Sequence, residues 1–122
     1  MVQAWKKIGN IFNVDKSNLD WMSTHAMMPV IEKLRNNIYR IYFSTRDQQN
    51  RSRCASIDLN IKSLEVTNLT QKPILDLGAI GTFEDSGVMP TSIIKHKGIK
   101  YLYYNGWSQG KTVPFYSFIG LA

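Results

Sequence analysis

Two short stretches hold the residue types that could do chemistry. Glu84-Asp85 is the one pair of adjacent carboxylates in the chain, set between Gly81-Thr82-Phe83 and Gly87-Val88-Met89-Pro90. Paired carboxyl groups suit cleavage of a glycosidic bond. One acid protonates the leaving oxygen while a carboxylate or an activated water works on the other face of the sugar. The run Asp85-Ser86-Gly87 also reads as a turn closed by a side-chain cap. Further on, Tyr104-Asn105-Gly106-Trp107 offers aromatic faces for the apolar C–H side of a sugar ring, with Asn105 to bond hydroxyls. Strand alternation sends Tyr101 and Tyr103 one way and Leu102 and Tyr104 the other, so at most one set meets solvent. Trp107 follows a glycine and is the aromatic expected to be exposed. Cys54 is the only cysteine, which excludes an internal disulfide, and no Cys/His spacing suggests a metal centre or a cofactor.

The elements that must position these residues are strands. The chain carries 3 Trp, 6 Tyr and 5 Phe, concentrated in short runs. Ile38–Ser44, Ala55–Leu59, Ile99–Asn105 and Phe115–Leu121 are rich in β-branched and aromatic residues and read as strands. Turn residues separate them: Arg35-Asn36-Asn37, Asp47-Gln48-Gln49-Asn50, Lys97-Gly98 and Ser108-Gln109-Gly110-Lys111. No segment sustains a helical apolar stripe, and only Leu19–Met22 suggests a single helical turn. The fold class expected is all-β.

Composition bounds the rest. With 122 residues, 43% of them hydrophobic and 20% charged, the chain can bury one ordinary core. Lys and Arg total 15 against 9 Asp and Glu, a net charge of +6 that permits an anionic partner without demanding one. Nine basic and five acidic residues fall in residues 1–61, six and four after them, so neither half is a basic tail. The first ten residues lack the apolar stretch of a signal peptide, and no run approaches the roughly 20 apolar residues of a membrane span. A cytoplasmic protein with no membrane partner is the expectation.

Sliding the chain on itself by 61 residues superposes residues 28–44 on residues 89–105 without a gap. Met28/Met89, Pro29/Pro90, Ile38/Ile99 and Tyr42/Tyr103 are identical, and Ile41/Leu102 and Phe43/Tyr104 are similar. Each copy is a strand, a tight hairpin and an aromatic strand, with one more strand following. Repeated sheets of about four antiparallel strands are the blades of a β-propeller, which closes with about 4–8 of them. The expectation is therefore two blades of a longer protein, blade one over about 20–70 and an incomplete blade two over about 80–122. Further C-terminal blades or another chain would close the ring. A complete two-sheet sandwich is the alternative.

The order Trp21…His25-Ala26…Pro29, Arg40-Ile-Tyr-Phe-Ser-Thr-Arg-Asp47…Arg51-Ser-Arg53, Gly81-Thr-Phe-Glu-Asp-Ser-Gly-Val-Met-Pro90, Tyr101-Leu-Tyr-Tyr-Asn-Gly-Trp107 and Ile119-Gly-Leu-Ala122 resembles the five-bladed β-propeller glycosidases. These are proteins of the arabinanase, invertase and levansucrase type, with the family 43-like glycoside hydrolases and the mannoside phosphorylases. The resemblance covers roughly residues 20–122 and rests on order and spacing. It implies a sugar site at the propeller axis, fed by acids from the inner strands of several blades.

On that resemblance Asp85 is the preferred catalytic acid, standing at the entry of the inner strand of blade two, with Glu84 as its alternate. The 61-residue offset sets Asp85 over Thr24 and Ser86 over His25. Thr24–Pro29 contains no carboxylate where the hydrolases of this fold carry an aspartate, which puts ordinary hydrolysis in doubt. His25 becomes a candidate to bind sugar hydroxyls or shuttle a proton. A phosphorylase would use inorganic phosphate instead, held by arginines of the group Arg46, Arg51 and Arg53. Arg46, Tyr104, Asn105, Trp107 and His25 are thus the expected substrate contacts. The function expected is a glycosidase or glycoside phosphorylase, the partners a carbohydrate and inorganic phosphate, with the 122-residue piece inactive alone. A non-catalytic carbohydrate-binding propeller is the alternative. Lys95-His96-Lys97-Gly98-Ile99-Lys100 raises nucleic-acid binding as a third class. That stretch reads better as a hairpin tip blunting a sheet edge, so no nucleic-acid partner is expected.

Overall fold

The computed structural model describes residues 4–122 and is all-β. Its strands are β1 (Thr24–Arg35), β2 (Ile38–Arg46), β3 (Ser52–Asn60), β4 (Val66–Thr67), β5 (Gly87–His96), β6 (Ile99–Gln109) and β7 (Phe115–Leu121), preceded by one 3-10 turn at Val14–Lys16. No described helix is long and apolar enough to cross a membrane. Both expected hairpins form. Arg35 pairs with Ile38 and His96 with Ile99, leaving two-residue loops at Asn36-Asn37 and Lys97-Gly98. Asn36, Lys97 and Gly98 take positive φ values of 40°, 49° and 81°. Left-handed backbone in a two-residue loop matches the right-handed twist of the strands it joins, and asparagine and glycine tolerate it best.

β1, β2 and β3 form an antiparallel meander with β4 on the outside of β3, and β5, β6 and β7 form a second meander. One parallel bridge, Ser52 to Gly87, joins the two into a seven-stranded open sheet. The 61-residue offset holds in three dimensions. It carries the first hairpin loop onto the second, Tyr42 onto Tyr103, and the last residue of β3, Asn60, onto the last of β7, Leu121. β1 and β5 also lie beside one another without pairing. The starts of β1, β3, β5 and β7 and the ends of β2 and β6 therefore share one end of the sheet, called the near end below.

The core belongs to the first meander. Val14, Met22, Ile41, Phe43, Ala55, Ile57 and Leu59 are buried together, with Phe12 laid on Phe43 at 5.4 Å between ring centroids. The helical turn expected at Leu19–Met22 forms at Val14–Lys16 instead. There the Asn13 side chain accepts the Asp15 N–H, while Leu19 and Met22 close an isolated β-bridge that Ser17 Oγ buttresses by donating to Met22 O. That arrangement drops Val14 and Met22 into the core, while Asn18, which would cap a turn starting at Leu19, takes a left-handed φ of 54° instead of the extended backbone of an N-cap. In the second meander Val88 and Tyr104 are buried, but six of the seven residues of β7 are exposed.

Candidate functional site

Arg46 is the last residue of β2, flanked in register by Thr24 of β1 and Ser52 of β3. Ser52 Oγ accepts a 2.7 Å hydrogen bond from the indole Nε1–H of Trp107, which arrives from the end of β6. The indole lies so close over Gly87 that a Cβ there would overlap it, so only glycine lets Trp107 reach Ser52. On its other side Trp107 meets the Phe115 ring edge-on, with centroids 6.3 Å apart. Arg46, Met89, Trp107 and Phe115 together line an open cleft of about 300 Å³ at the near end. Two expected contact residues, Arg46 and Trp107, thus share one cleft. Both are half-exposed, and the indole N–H is already engaged.

Glu84 and Asp85 occupy the loop that enters β5 and face different partners. Asp85 Oδ2 accepts the Gly81 N–H at 3.0 Å and its Oδ1 accepts the Ser86 hydroxyl at 2.8 Å. The Ser86 oxygen in turn accepts the Gln109 N–H, and the Ser86 N–H donates to the Trp107 carbonyl. Asp85 therefore holds the turn that fastens this loop to the end of β6. Glu84 Oε2 instead accepts a 2.7 Å hydrogen bond from the Tyr104 hydroxyl. Tyr104 is buried, 8% exposed, packed over Gly120 and stacked on Phe83. Burial, followed by the bond to Glu84, pushes its phenol up to about 12. Asn105 is half-buried between Met89 and Ile119 in the strand register.

His25 is exposed at the start of β1, with Nδ1 2.8 Å from Thr24 Oγ1. Its φ is +63° and that of Met28 +55°, and the β1–β2 register slips at both places. Left-handed residues other than glycine are uncommon and bulges re-aim side chains, so β1 is irregular where it reaches the near end. Thr45 Oγ1 fastens the irregular segment by donating to Thr24 O.

The three candidate arginines differ sharply. Arg51 Nε and Arg53 Nη1 both bond the buried Asp47 carboxylate, at 2.9 and 2.6 Å, and Arg53 Nε also reaches Asp76 at 2.7 Å. Asp47 further accepts the backbone N–H groups of Gln49 and Arg51. Burial works to raise the Asp47 carboxyl, but the Arg53 and Arg51 hydrogen bonds outweigh it and hold the group below the ordinary carboxylate range. Arg46 has no such carboxylate. Its Nε is buried with no hydrogen-bond partner among the described residues. The basic stretch Lys95–Lys100 sits at the opposite end of the sheet, where Lys100 Nζ pairs with Glu32 Oε1 at 2.8 Å.

Met89 and Phe115 complete the cleft and Ser52 anchors its indole, none of them having been visible as functional residues. Phe115 sits in an expected strand, but nothing in sequence ties Ser52 to an indole 55 positions away. Among the described residues, no three His, Cys, Asp or Glu side chains converge as metal ligands.

The chain is similar to two uncharacterized proteins of Mycobacterium tuberculosis, one from each of two strains, at 43% identity over 121 residues in both cases. The match takes in 98% of this chain, which spans about 40% of the length of these curated relatives. No protein-family model and no solved structure matches it.

Proposed function

We propose that this chain supplies two blades of a five-bladed propeller that binds and processes carbohydrate. The observation that carries the reading is convergence. His25, Arg46, the Glu84-Asp85 loop and Trp107 lie far apart in sequence, yet all reach the near end of the sheet. In a propeller β1 and β5 would be the inner strands, and their starts would face the axis. The relatives supply a second support. A 121-residue match covering 40% of each leaves them the length of about five 61-residue units. Trp107 and Phe115 give the cleft the apolar aromatic wall that a sugar ring uses, and Arg46 gives it a hydrogen-bond donor.

On this reading Glu84 and Asp85 are the carboxylates that blade two contributes to glycoside chemistry, whether water or inorganic phosphate is the acceptor. The protein acts in the cytoplasm. The test begins with a panel of oligosaccharides offered to the purified five-bladed protein, followed by turnover assays with any that bind. Asp85→Asn or Glu84→Gln should lower kcat by at least about a hundredfold, within the range of general acid–base catalysis.

One observation favours a second reading, a propeller that binds sugar without cleaving it. Both Asp85 oxygens are occupied by local donors, as in a structural cap. That reading predicts normal sugar binding in both variants and no turnover in any form. Asp85→Ala would then cost about 1 kcal/mol of stability.

A further inference from the structure

We infer that the Arg46 cleft receives an oxyanion borne by the sugar, so that the substrate class is acidic carbohydrate; this rests on the carbohydrate reading above. Ser44 Oγ and Arg46 Nε are the two buried side-chain polar atoms without a hydrogen-bond partner among the described residues. They are two positions apart on β2, hence on the same face of the strand, and Ser44 is 0% exposed. Buried polar groups are nearly always paired, so an unpaired Nε on an arginine that lines the cleft marks a place where a partner is missing.

The surroundings specify the partner's charge. The other arginines of β2, β3 and their connecting turn are neutralised within the fold. Arg40 makes two bonds to Asp58 at 2.8 and 3.1 Å, and Arg51 and Arg53 share Asp47. Arg46 is in no ion pair among the described residues, and the rest of its cleft is Met89, Trp107 and Phe115, without a carboxylate. A guanidinium beside apolar walls is poorly solvated, which penalises it alone and strengthens its bond to an anion. Its planar fork fits a carboxylate or phosphate through two parallel N–H···O bonds. A neutral sugar would cover the aromatic wall and leave that charge unanswered. A sugar carrying a carboxylate or phosphate group answers both.

Titration calorimetry of the purified five-bladed protein with a uronate oligosaccharide, a sugar phosphate and the neutral counterpart oligosaccharide tests this. At least one acidic ligand should bind tenfold or more tighter than the neutral one, and its affinity should fall with added salt. Arg46→Gln should weaken that acidic ligand by about tenfold to a hundredfold, the value of a lost charge-assisted hydrogen bond, and weaken the neutral oligosaccharide by clearly less, so that the preference narrows. The ligand that responds identifies the group as carboxylate or phosphate. Arg46→Lys keeps the charge without the fork and should retain only part of the preference. It also serves if Arg46→Gln melts early. Equal binding of acidic and neutral sugars, unchanged in both variants, overturns the inference and leaves the carbohydrate reading standing. Failure of every sugar to bind the parent protein overturns both.

Discussion

The two meanders share a sequence spacing and a strand order but not a degree of burial. In the first, β3 is buried at seven of its nine residues and β2 from Ile41 to Thr45, with Phe43 2% exposed. In the second, the matching outer strand β7 leaves Ile119 87% exposed, with Phe115, Phe118 and Leu121 exposed beside it. β7, carrying Phe115, Tyr116, Phe118, Ile119 and Leu121, is more apolar than β3, so hydrophobicity does not explain the difference. β3 has β4 on its outside, and the loop at Ile74-Leu75 bonds to Cys54. The segment from Phe12 to Met22 covers the face below. β7 has β6 on one side and nothing among the described residues on the other. Burial in a sheet protein is conferred by neighbours, and a repeat copies the strand without copying the neighbour.

The largest expected effect separates the meanders directly. Phe43→Ala empties a buried site that Phe12 packs against, and should cost about 3–5 kcal/mol in chemical denaturation. Phe118→Ala, on the exposed strand, should cost under about 1 kcal/mol. Equal losses would show that β7 is covered in solution and that the contrast belongs to the isolated sheet.

Acid should act on the first meander through its ion pairs. The Arg40 hydrogen bonds, with help from Asn68 and against burial, hold Asp58 below the usual carboxylate range, and Asp47 is held down likewise. Carboxyls whose folded pKa is depressed contribute stability above their unfolded value, about 3.9, and lose it as pH falls through the folded value. Melting temperature should therefore fall as pH drops below about 4, and Asp58→Asn should flatten that fall while lowering stability at neutral pH by about 1.5–3 kcal/mol. Tyr104 gives the second meander an opposite dependence. Its neutral form is favoured by folding, so its contribution is intact below about 10, the unfolded phenol value, and is lost as pH rises through about 12. Tyr104→Phe should remove that alkaline component. An acid slope indifferent to Asp58→Asn would mean that the ion pair does not set the acid limit of the first meander.

The smallest effect lies at the seam. Lys100 of β6 reaches Glu32 of β1, with the Lys100 side chain 47% exposed. An exposed pair of this kind contributes about 0.2–1 kcal/mol and is screened by salt. Lys100→Ala should shift stability by no more than that at low salt and by less at high salt. A larger, salt-resistant loss would show that the seam is more deeply closed than its exposure indicates.

Much of the strand layout was legible in sequence. Phe115–Leu121 is β7 residue for residue, and Asn36-Asn37 and Lys97-Gly98 turn where their residue types predict. These are local properties: alternation, β-branched and aromatic enrichment, and side chains that tolerate left-handed backbone. β4 escaped notice because Val66-Thr67 is too short to show a pattern, and the turn at Val14–Lys16 depends on an Asn13 cap with no apolar periodicity around it. The left-handed conformation of Met28 has no residue signature, and the enrichment of histidine in that region is too weak to place His25 there.

The site divides along the same line. Sequence alone determined which groups are available: one carboxylate pair, a tryptophan past a glycine, three arginines around a turn. It also determined the 61-residue offset, which carries Arg46 onto Trp107. Tertiary structure decided what those groups are free to do. It engaged Arg51 and Arg53 with Asp47, turned Asp85 into a clasp on its own loop, joined Glu84 to Tyr104, and left Arg46 without an anion in a cleft walled by Trp107 and Phe115. The physical reason is that hydrogen bonds and ion pairs act over about 3 Å, so a side chain's partner is whatever the fold brings within that reach. A chain's spacing fixes only partners a few residues away, whereas Ser52 and Trp107 meet through a sheet.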